Sequence, residues 1–500
     1  EGITRNVGTH AGGVLISRGE ISDFSPLYCQ EDGSGVTSQY DKDDVEAVGL
    51  VKFDFLGLRT LTILHSAIAH ANVERASEKL EALSLSNIPL NDVATLDCFK
   101  RGNVSAVFQF ESDGMKEMLL QAQPDCLEDL IALNAMYRPG PMEYLPEFCR
   151  RKHNRQRIEY PHHLTKDILQ ETYGIAAYQE QVMQIAQVVA GYSLGQADLL
   201  RRAMSKKKPE EMEAQRAIFV TGSQTTNTSK EQAEKLFHAL ESFAGYGFNK
   251  SHAAAYALVA YQTAYLKTHY PAAFMAATMS AEMRDTDKLR FFYDDCRYNG
   301  ITVLPPDINL SMANFMPIAH QVIRYGLAAI KGAGEVAINA IVTERQTHGD
   351  FKSLNDFCTR MDLQRINRRV VEALIRSGSF DSLEANRAAL LAGVEDALSM
   401  AQRQQNTNGQ SGLFGDHSAL NIRLPVVPAW TMQEQLHQER IALGFYLSGH
   451  PFADYAILLA PFTKTRLDRL STTEQTQLFA GMIENVRESQ NARGRLVFVT

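Results

Sequence analysis

From about residue 61 to residue 290 the chain runs in helical periodicity, rich in Ala, Leu, Gln, Glu and Met, and this stretch sets the fold class. Apolar residues that recur every three or four positions line one side of a helix, whereas a sheet would need alternation at a period of two. A large helical domain over residues 61–300 is therefore expected. Before it, Gly12 to Ile16 and Gly49 to Gly57 are short apolar runs bounded by turn formers, which predicts strands. After it, Pro305-Pro306 and β-like runs such as Gln321 to Ile323 predict a connecting element, followed by a second helical block over 328–402. Residues 402–424 are rich in Gln, Asn and Gly, with one apolar island at Leu413-Phe414. Such a segment is either an exposed linker carrying a binding peptide or a plain loop. Leu478 to Val486 and Leu496 to Val499, around a polar turn at Gln490 to Gly494, predict a β-hairpin truncated by the chain end.

A chain of 500 residues holds three or four domains at roughly 150 residues each. With 45% hydrophobic and 22% charged residues, wholesale disorder, collagen and a small disulfide scaffold are excluded. The net charge of -8 argues against a surface coated in positive charge but leaves room for local basic patches. Six scattered cysteines without a CxxC make structural zinc and a disulfide framework unexpected. No apolar run approaches the roughly 18 residues of a membrane span, and with reduced thiols this points to the cytoplasm. The chain opens at Glu1 without Met and stops at Thr500 inside a predicted strand, so it reads as a piece of a longer polypeptide.

Four motifs carry candidate chemistry. In Val51 to Leu58, strand alternation puts Lys52 and Asp54 on one face, with Phe53 and Phe55 packing on the other. The carboxylate suits a hard cation and the ammonium suits phosphate oxygens, or the two form an ordinary surface pair. Around Arg201, Arg202 and Lys206 there are five cations within the eight residues 201–208, which an anion such as a triphosphate would relieve. The alternative is a solvated basic face. A weaker basic run, Arg150 to His153 with Arg155 and Arg157, could touch a phosphate backbone. Asn249, Lys250, Ser251 and His252 open an Ala-rich helix, where Asn249 or Ser251 can cap and the first-turn amides favour an anion. Ala254, Leu258, Tyr261 and Tyr265 are its expected buried stripe. Finally, Ile330-Lys331-Gly332-Ala333-Gly334 followed by an amphipathic helix reads as a helix-hairpin-helix whose glycines expose amides to a DNA phosphate. Asn367-Arg368-Arg369 begins a degenerate second copy without the glycines.

His10 to Val14, Val51 to Thr60, Tyr137 to Pro141, Tyr173 to Gln184, Leu199 to Pro209, Gly245 to Tyr256 and Leu304 to Asn309 together resemble, in order along the chain, the C family of bacterial replicative DNA polymerases, the DNA polymerase III alpha subunits. The resemblance implies a multidomain, mainly α chain. Residues 1–60 would be the C-terminal part of a polymerase β-like α/β palm, 61–300 the fingers, 301–470 a clamp-binding domain with tandem helix-hairpin-helix motifs, and 471–500 the start of a β-barrel OB fold. In the family three palm aspartates hold two Mg2+ ions. Asp54 matches the third, and no part of these residues matches the motif that carries the other two, so the chain alone is expected to be inactive.

By the same resemblance Lys52, Arg201, Arg202 and Lys206 would face the incoming triphosphate, with His10, Asn249, Lys250 and His252 nearby. Lys331, Gly332, Gly334, Arg368 and Arg369 would meet DNA. Gln410, Leu413 and Phe414 resemble the sliding-clamp peptide, which favours a replicative polymerase over its error-prone paralogue. The implied partners are primer-template DNA, dNTPs, the sliding clamp, a proofreading exonuclease and the clamp-loader tau subunit. The competing expectation is a non-catalytic scaffold that binds DNA and clamp, with Asp54 structural.

Overall fold

The computed structural model describes residues 9–10, 12–206, 209–244, 247–407, 423–463, 476–483, 487–490 and 496–499. The chain divides into two compact units, residues 1–62 and 63–500.

In the first unit, strand β1 (Gly13–Ile16) pairs antiparallel with β4 (Val51–Asp54), matching Gly13 to Asp54 and Leu15 to Lys52. The short strands β2 (Leu27–Tyr28) and β3 (Thr37–Ser38) form a separate ribbon. Gly12 is required where β1 begins, because a Cβ there would stand 2.3 Å from the Phe55 carbonyl oxygen. The expected alternation holds over 51–54, but the apolar side does not pack into a core. Phe53 and Phe55 stack on each other at 6.4 Å and stay 47% and 68% exposed, because two strands offer no second layer to cover them.

The second unit is helical, as its periodicity predicts. The Lys250–His269 helix lies against the Leu127–Met136 and Val93–Lys100 helices. Its buried stripe is Ala253, Ala257, Ala260, Tyr261 and Ala264 rather than the expected Ala254, Leu258, Tyr261 and Tyr265. Alanines there let neighbouring backbones approach closely, and the larger Leu258 and Tyr265 are left half-buried at the margin. Tyr261 satisfies its buried hydroxyl by donating to the Pro89 carbonyl at 3.0 Å and accepting from the Asp92 amide at 2.8 Å.

A second, separate core joins the Gln179–Ala190, Leu194–Lys206, Pro209–Ser223 and Lys230–Ala244 helices around Leu200, Phe219 and Phe237. Each of these side chains is fully buried, worth about 1.5–3 kcal/mol apiece.

The main core continues past residue 300 without interruption, from Leu64 to Phe445. There β5 (Thr302–Leu304), β6 (Met316–Ala319) and β7 (Val322–Arg324) form a sheet in the order β5-β7-β6, parallel between β5 and β7. Beyond them lie the helices Glu335–His348, Leu354–Arg360, Arg368–Arg376 and Val394–Thr407. Among the described residues no helix is long and apolar enough to cross a membrane. The terminal hairpin exists but is displaced. Its strands are β8 (Arg487–Gln490) and β9 (Leu496–Val499), whereas residues 478–483, expected in the first strand, are not in a strand. Apolar content at Leu478 to Ile483 misled the prediction, since strand pairing follows register with β9 rather than hydrophobicity alone.

Candidate active site

In the first unit the sequence-predicted pair meets. Lys52 Nζ lies 3.3 Å from Asp54 Oδ2 on one face of β4, with side chains 25% and 43% exposed. His10 Nδ1 stands 3.8 Å from Asp54 Oδ1 and accepts the Gly12 amide at 3.2 Å. Asp54 offers a hard carboxylate donor that fits part of a Mg2+ shell. Among the described residues it belongs to no group of three close ligand atoms, so holding two ions needs further carboxylates.

Arg201 and Arg202 lie on the Leu194–Lys206 helix, one turn from Asp198, which pairs with both. Arg201 donates to Asp198 Oδ1 through Nε at 2.9 Å and Nη2 at 2.8 Å, while Arg202 Nε donates to Oδ2 at 2.8 Å. The Arg201 hydrogen bond, with Arg202 adding, holds the Asp198 carboxyl below its usual range. Spacings of three and four along a helix make this partnership readable in sequence, although only the cations drew notice. Arg202 remains 64% exposed, and its ion pair with Asp198 runs through Nε. The Lys206 side chain lies outside the described residues.

Asn249 caps the Lys250–His269 helix, accepting the His252 amide at 2.8 Å, as one of two residues predicted to do so. The anion expected at this helix start is already supplied by Glu180, which accepts the Lys250 amide at 2.9 Å and Asn249 Nδ2 at 2.9 Å. Lys250 Nζ donates to both Glu171 oxygens at 2.8 Å and sits 5.3 Å from the Tyr178 ring centre. His252 stacks on Tyr256 at 4.1 Å and meets Phe248 edge-on. A backbone bridge between Tyr178 and Phe248 brings these two distant stretches together, and the Arg138 guanidinium lies 4.3 Å over Phe248. Glu171 and Glu180 were missed because no local spacing links them to residues 70 to 80 positions away.

At the glycine hairpin, Gly332 and Gly334 have φ of 86° and 72°, the left-handed region that favours glycine. A Cβ on Gly332 would lie 3.2 Å from Arg369 Nε, so the two expected hairpin copies face each other here. Lys331 and Arg369 are exposed, and among the described residues neither is in an ion pair. Arg368 differs. It is committed to Glu372 at 2.7 Å and Glu395 at 3.2 Å, which sets it apart from Arg369 as a phosphate contact. Gln410, Leu413 and Phe414 lie outside the described residues.

Another constellation, Asp125, Cys126 and Asp129, has ligand atoms within 4.8 Å of one another. Both carboxylates are engaged by Lys152, at 3.0 Å and 2.7 Å, and burial with Asp129 pushes the Cys126 thiol up to about 12. Both carboxylates are thus ion-paired rather than vacant ligands, Asp129 in the interior and Asp125 toward solvent.

Comparison with known families matches residues 60–227 to the bacterial DNA polymerase III alpha subunit finger domain, residues 1–57 to the bacterial DNA polymerase III alpha NTPase domain, and residues 300–390 to a helix-hairpin-helix motif. Among curated proteins, DNA polymerase III subunit alpha of Neisseria meningitidis serogroup B is 51% identical over 100% of this chain and 43% of its own length. The Pasteurella multocida protein of the same name is 49% identical and that of Escherichia coli 47%, each over 99% of the chain and 44% of the relative. The chain thus spans less than half the length of these relatives.

Proposed function

This chain belongs to the family of bacterial DNA polymerase III alpha subunits, and we propose that it supplies part of the polymerase site and much of the DNA-handling surface of a replicative DNA polymerase. The observation that carries the reading is the joint projection of Lys52 and Asp54 from one face of β4. The reaction is attack of a primer 3'-hydroxyl on the α-phosphate of a dNTP, with pyrophosphate leaving. Asp54 is the residue of this chain that would hold divalent metal, with Mg2+ as the proposed ion and two further carboxylates required from outside the chain. When bound, the metal supplies hydroxyl activation and charge neutralisation on the phosphates. Lys52 turns from Asp54 to the phosphate oxygens, and Arg201 and Arg202 neutralise the triphosphate through guanidinium edges oriented by Asp198. His10, Asn249, Lys250 and His252 are assigned only as neighbours of the nucleotide, since Lys250 and Asn249 already satisfy internal carboxylates. Residues 1–60 as a palm remnant, 61–300 as fingers, 301–470 as a clamp-binding domain and 471–500 as the start of an OB fold belong to the same proposal. So do the sliding clamp at Gln410, Leu413 and Phe414, the exonuclease and tau partners, and a cytoplasmic location.

Removing one charge-assisted hydrogen-bonding group costs about 1.5–3 kcal/mol. In the full-length protein Arg202→Ala is therefore expected to raise the KM for dNTP about 10- to 100-fold, read by primer extension over a nucleotide titration. An unchanged KM removes Arg202 from the nucleotide site. For the hairpin, replacing Lys331 and Arg369 together by Gln is expected to lower the salt-dependence slope of duplex binding by about 1.8, at 0.9 per phosphate contact. A slope equal to that of the parent would show that the hairpin does not touch the backbone.

A further inference from the structure

The basic run from Arg150 to Arg157 is sorted by the fold into two groups. Arg151 and Lys152 turn inward, Arg151 to Glu147 at 2.6 Å and Lys152 to Asp125 and Asp129. Arg150, His153 and Arg155 instead line a cavity of about 600 Å³ together with Leu120, Gln121, Gln123, Pro146 and Cys149. That volume lies in the range of roughly 300–1,000 Å³ typical of ligand sites. Asn154, with φ of 56°, reverses the chain after the Leu145–Lys152 helix, and the Arg155 amide donates to the Arg150 carbonyl at 2.8 Å, so the two arginines stand on one rim. Arg150 Nε is held by Gln156 Oε1 at 3.0 Å, and His153 Nε2 donates to the Gln121 carbonyl at 3.0 Å.

No carboxylate lines the cavity. The nearest acidic side chain on the same helix, Glu147, is committed to Arg151 and to the Gln156 amide. Among the described residues neither Arg150 nor Arg155 is in an ion pair, although their immediate neighbours are. Two cations without an ion-pair partner among the described residues, set around a concave surface, select an anion, and guanidinium forks match phosphate. No Phe, Tyr or Trp side chain lines the cavity, and the His153 ring is tied to the Gln121 carbonyl.

We propose that this cavity seats a backbone phosphate of a nucleic-acid strand, contacted by Arg150 and Arg155 without regard to base sequence. The contact is separate from the Arg201-Arg202 helix and from the glycine hairpin, and it does not depend on the nucleotidyl-transfer reading. Free nucleotide phosphate is the other source of the same chemistry.

The test uses the full-length protein with Arg150→Gln and Arg155→Gln combined, measuring binding of a labelled oligo-dT strand across a salt series. Each lost phosphate contact lowers the slope of log K against log salt by about 0.7 on a single strand, so a fall of about 1.4 is expected. Arg157→Gln, outside the cavity, is expected to leave the slope unchanged, and the double Lys variant at 150 and 155 is expected to restore it. The same Gln variant is tested for retention of dATP and of pyrophosphate by equilibrium dialysis. A parental slope in the Gln variant overturns the proposal, and loss of dATP or pyrophosphate retention with a parental slope overturns it in favour of a free-nucleotide site. Should the Gln variant fold poorly by thermal melting, Arg155→Lys with Arg150→Gln decides: a fall of about 0.7 supports the site and a parental slope overturns it.

Discussion

Asp54→Asn in the full-length protein is expected to cut primer extension at least about a thousandfold, or roughly 4 kcal/mol of transition-state stabilisation, while duplex affinity changes less than about twofold. The substitution preserves shape, and an amide oxygen can still face Lys52 Nζ, which lies 3.3 Å from the carboxylate today. It removes the negative charge, the property that makes Asp54 a donor to a hard cation. Folding is little affected by this change: the side chain is 43% exposed, and among the described residues no backbone group donates a hydrogen bond to it. A large loss of extension with intact DNA binding therefore isolates chemistry from structure. Extension within tenfold of the parent would make Asp54 a surface residue of β4 and leave the non-catalytic DNA- and clamp-binding scaffold as the better account. Equal loss of binding and extension would instead assign it to the fold of the first unit.

What could be read from residues alone follows from how far apart the interacting groups lie. The Lys52-Asp54 pair was predictable because two positions on a strand share a face by backbone geometry. The cap at Asn249 and the left-handed glycines at 332 and 334 were predictable for the same local reason. Asp198 beside Arg201 and Arg202 was equally local, yet the run of cations drew the reading toward an external anion. Glu171 and Glu180 could not be placed from sequence, because they reach Lys250 only through the bridge between Tyr178 and Phe248. The exposed Phe53 and Phe55 mark the opposite limit: alternation gave their side of the strand correctly but cannot say whether a second layer covers it.

Lys152→Met is expected to destabilise the second unit by about 3–5 kcal/mol, because it leaves a carboxylate in the interior without its cation. Lys152 is 4% exposed and Asp129 1% exposed, with Nζ donating to Asp129 Oδ2 at 2.7 Å and reaching Asp125 at 3.0 Å. The second Asp129 oxygen accepts the Tyr173 hydroxyl at 3.0 Å, so the carboxylate has no solvent route by which to recover its lost partner. Burial alone would lower the Lys152 pKa, but Asp129 and Asp125 outweigh it and the net shift is upward. A pKa raised in the folded state contributes stability that is fully present below the ordinary lysine value of 10.5 and is lost only as pH rises through the raised one. The stabilisation thus holds across neutral pH. Neutralising both partners, Lys152→Met with Asp129→Asn, removes the orphaned charge and is expected to recover most of the loss, which thermal and urea melts at neutral pH would measure. If Lys152→Met alone costs less than about 1 kcal/mol, the pair is screened as a surface pair would be, and the inward sorting of Arg151 and Lys152 away from the arginine-lined cavity loses its energetic basis.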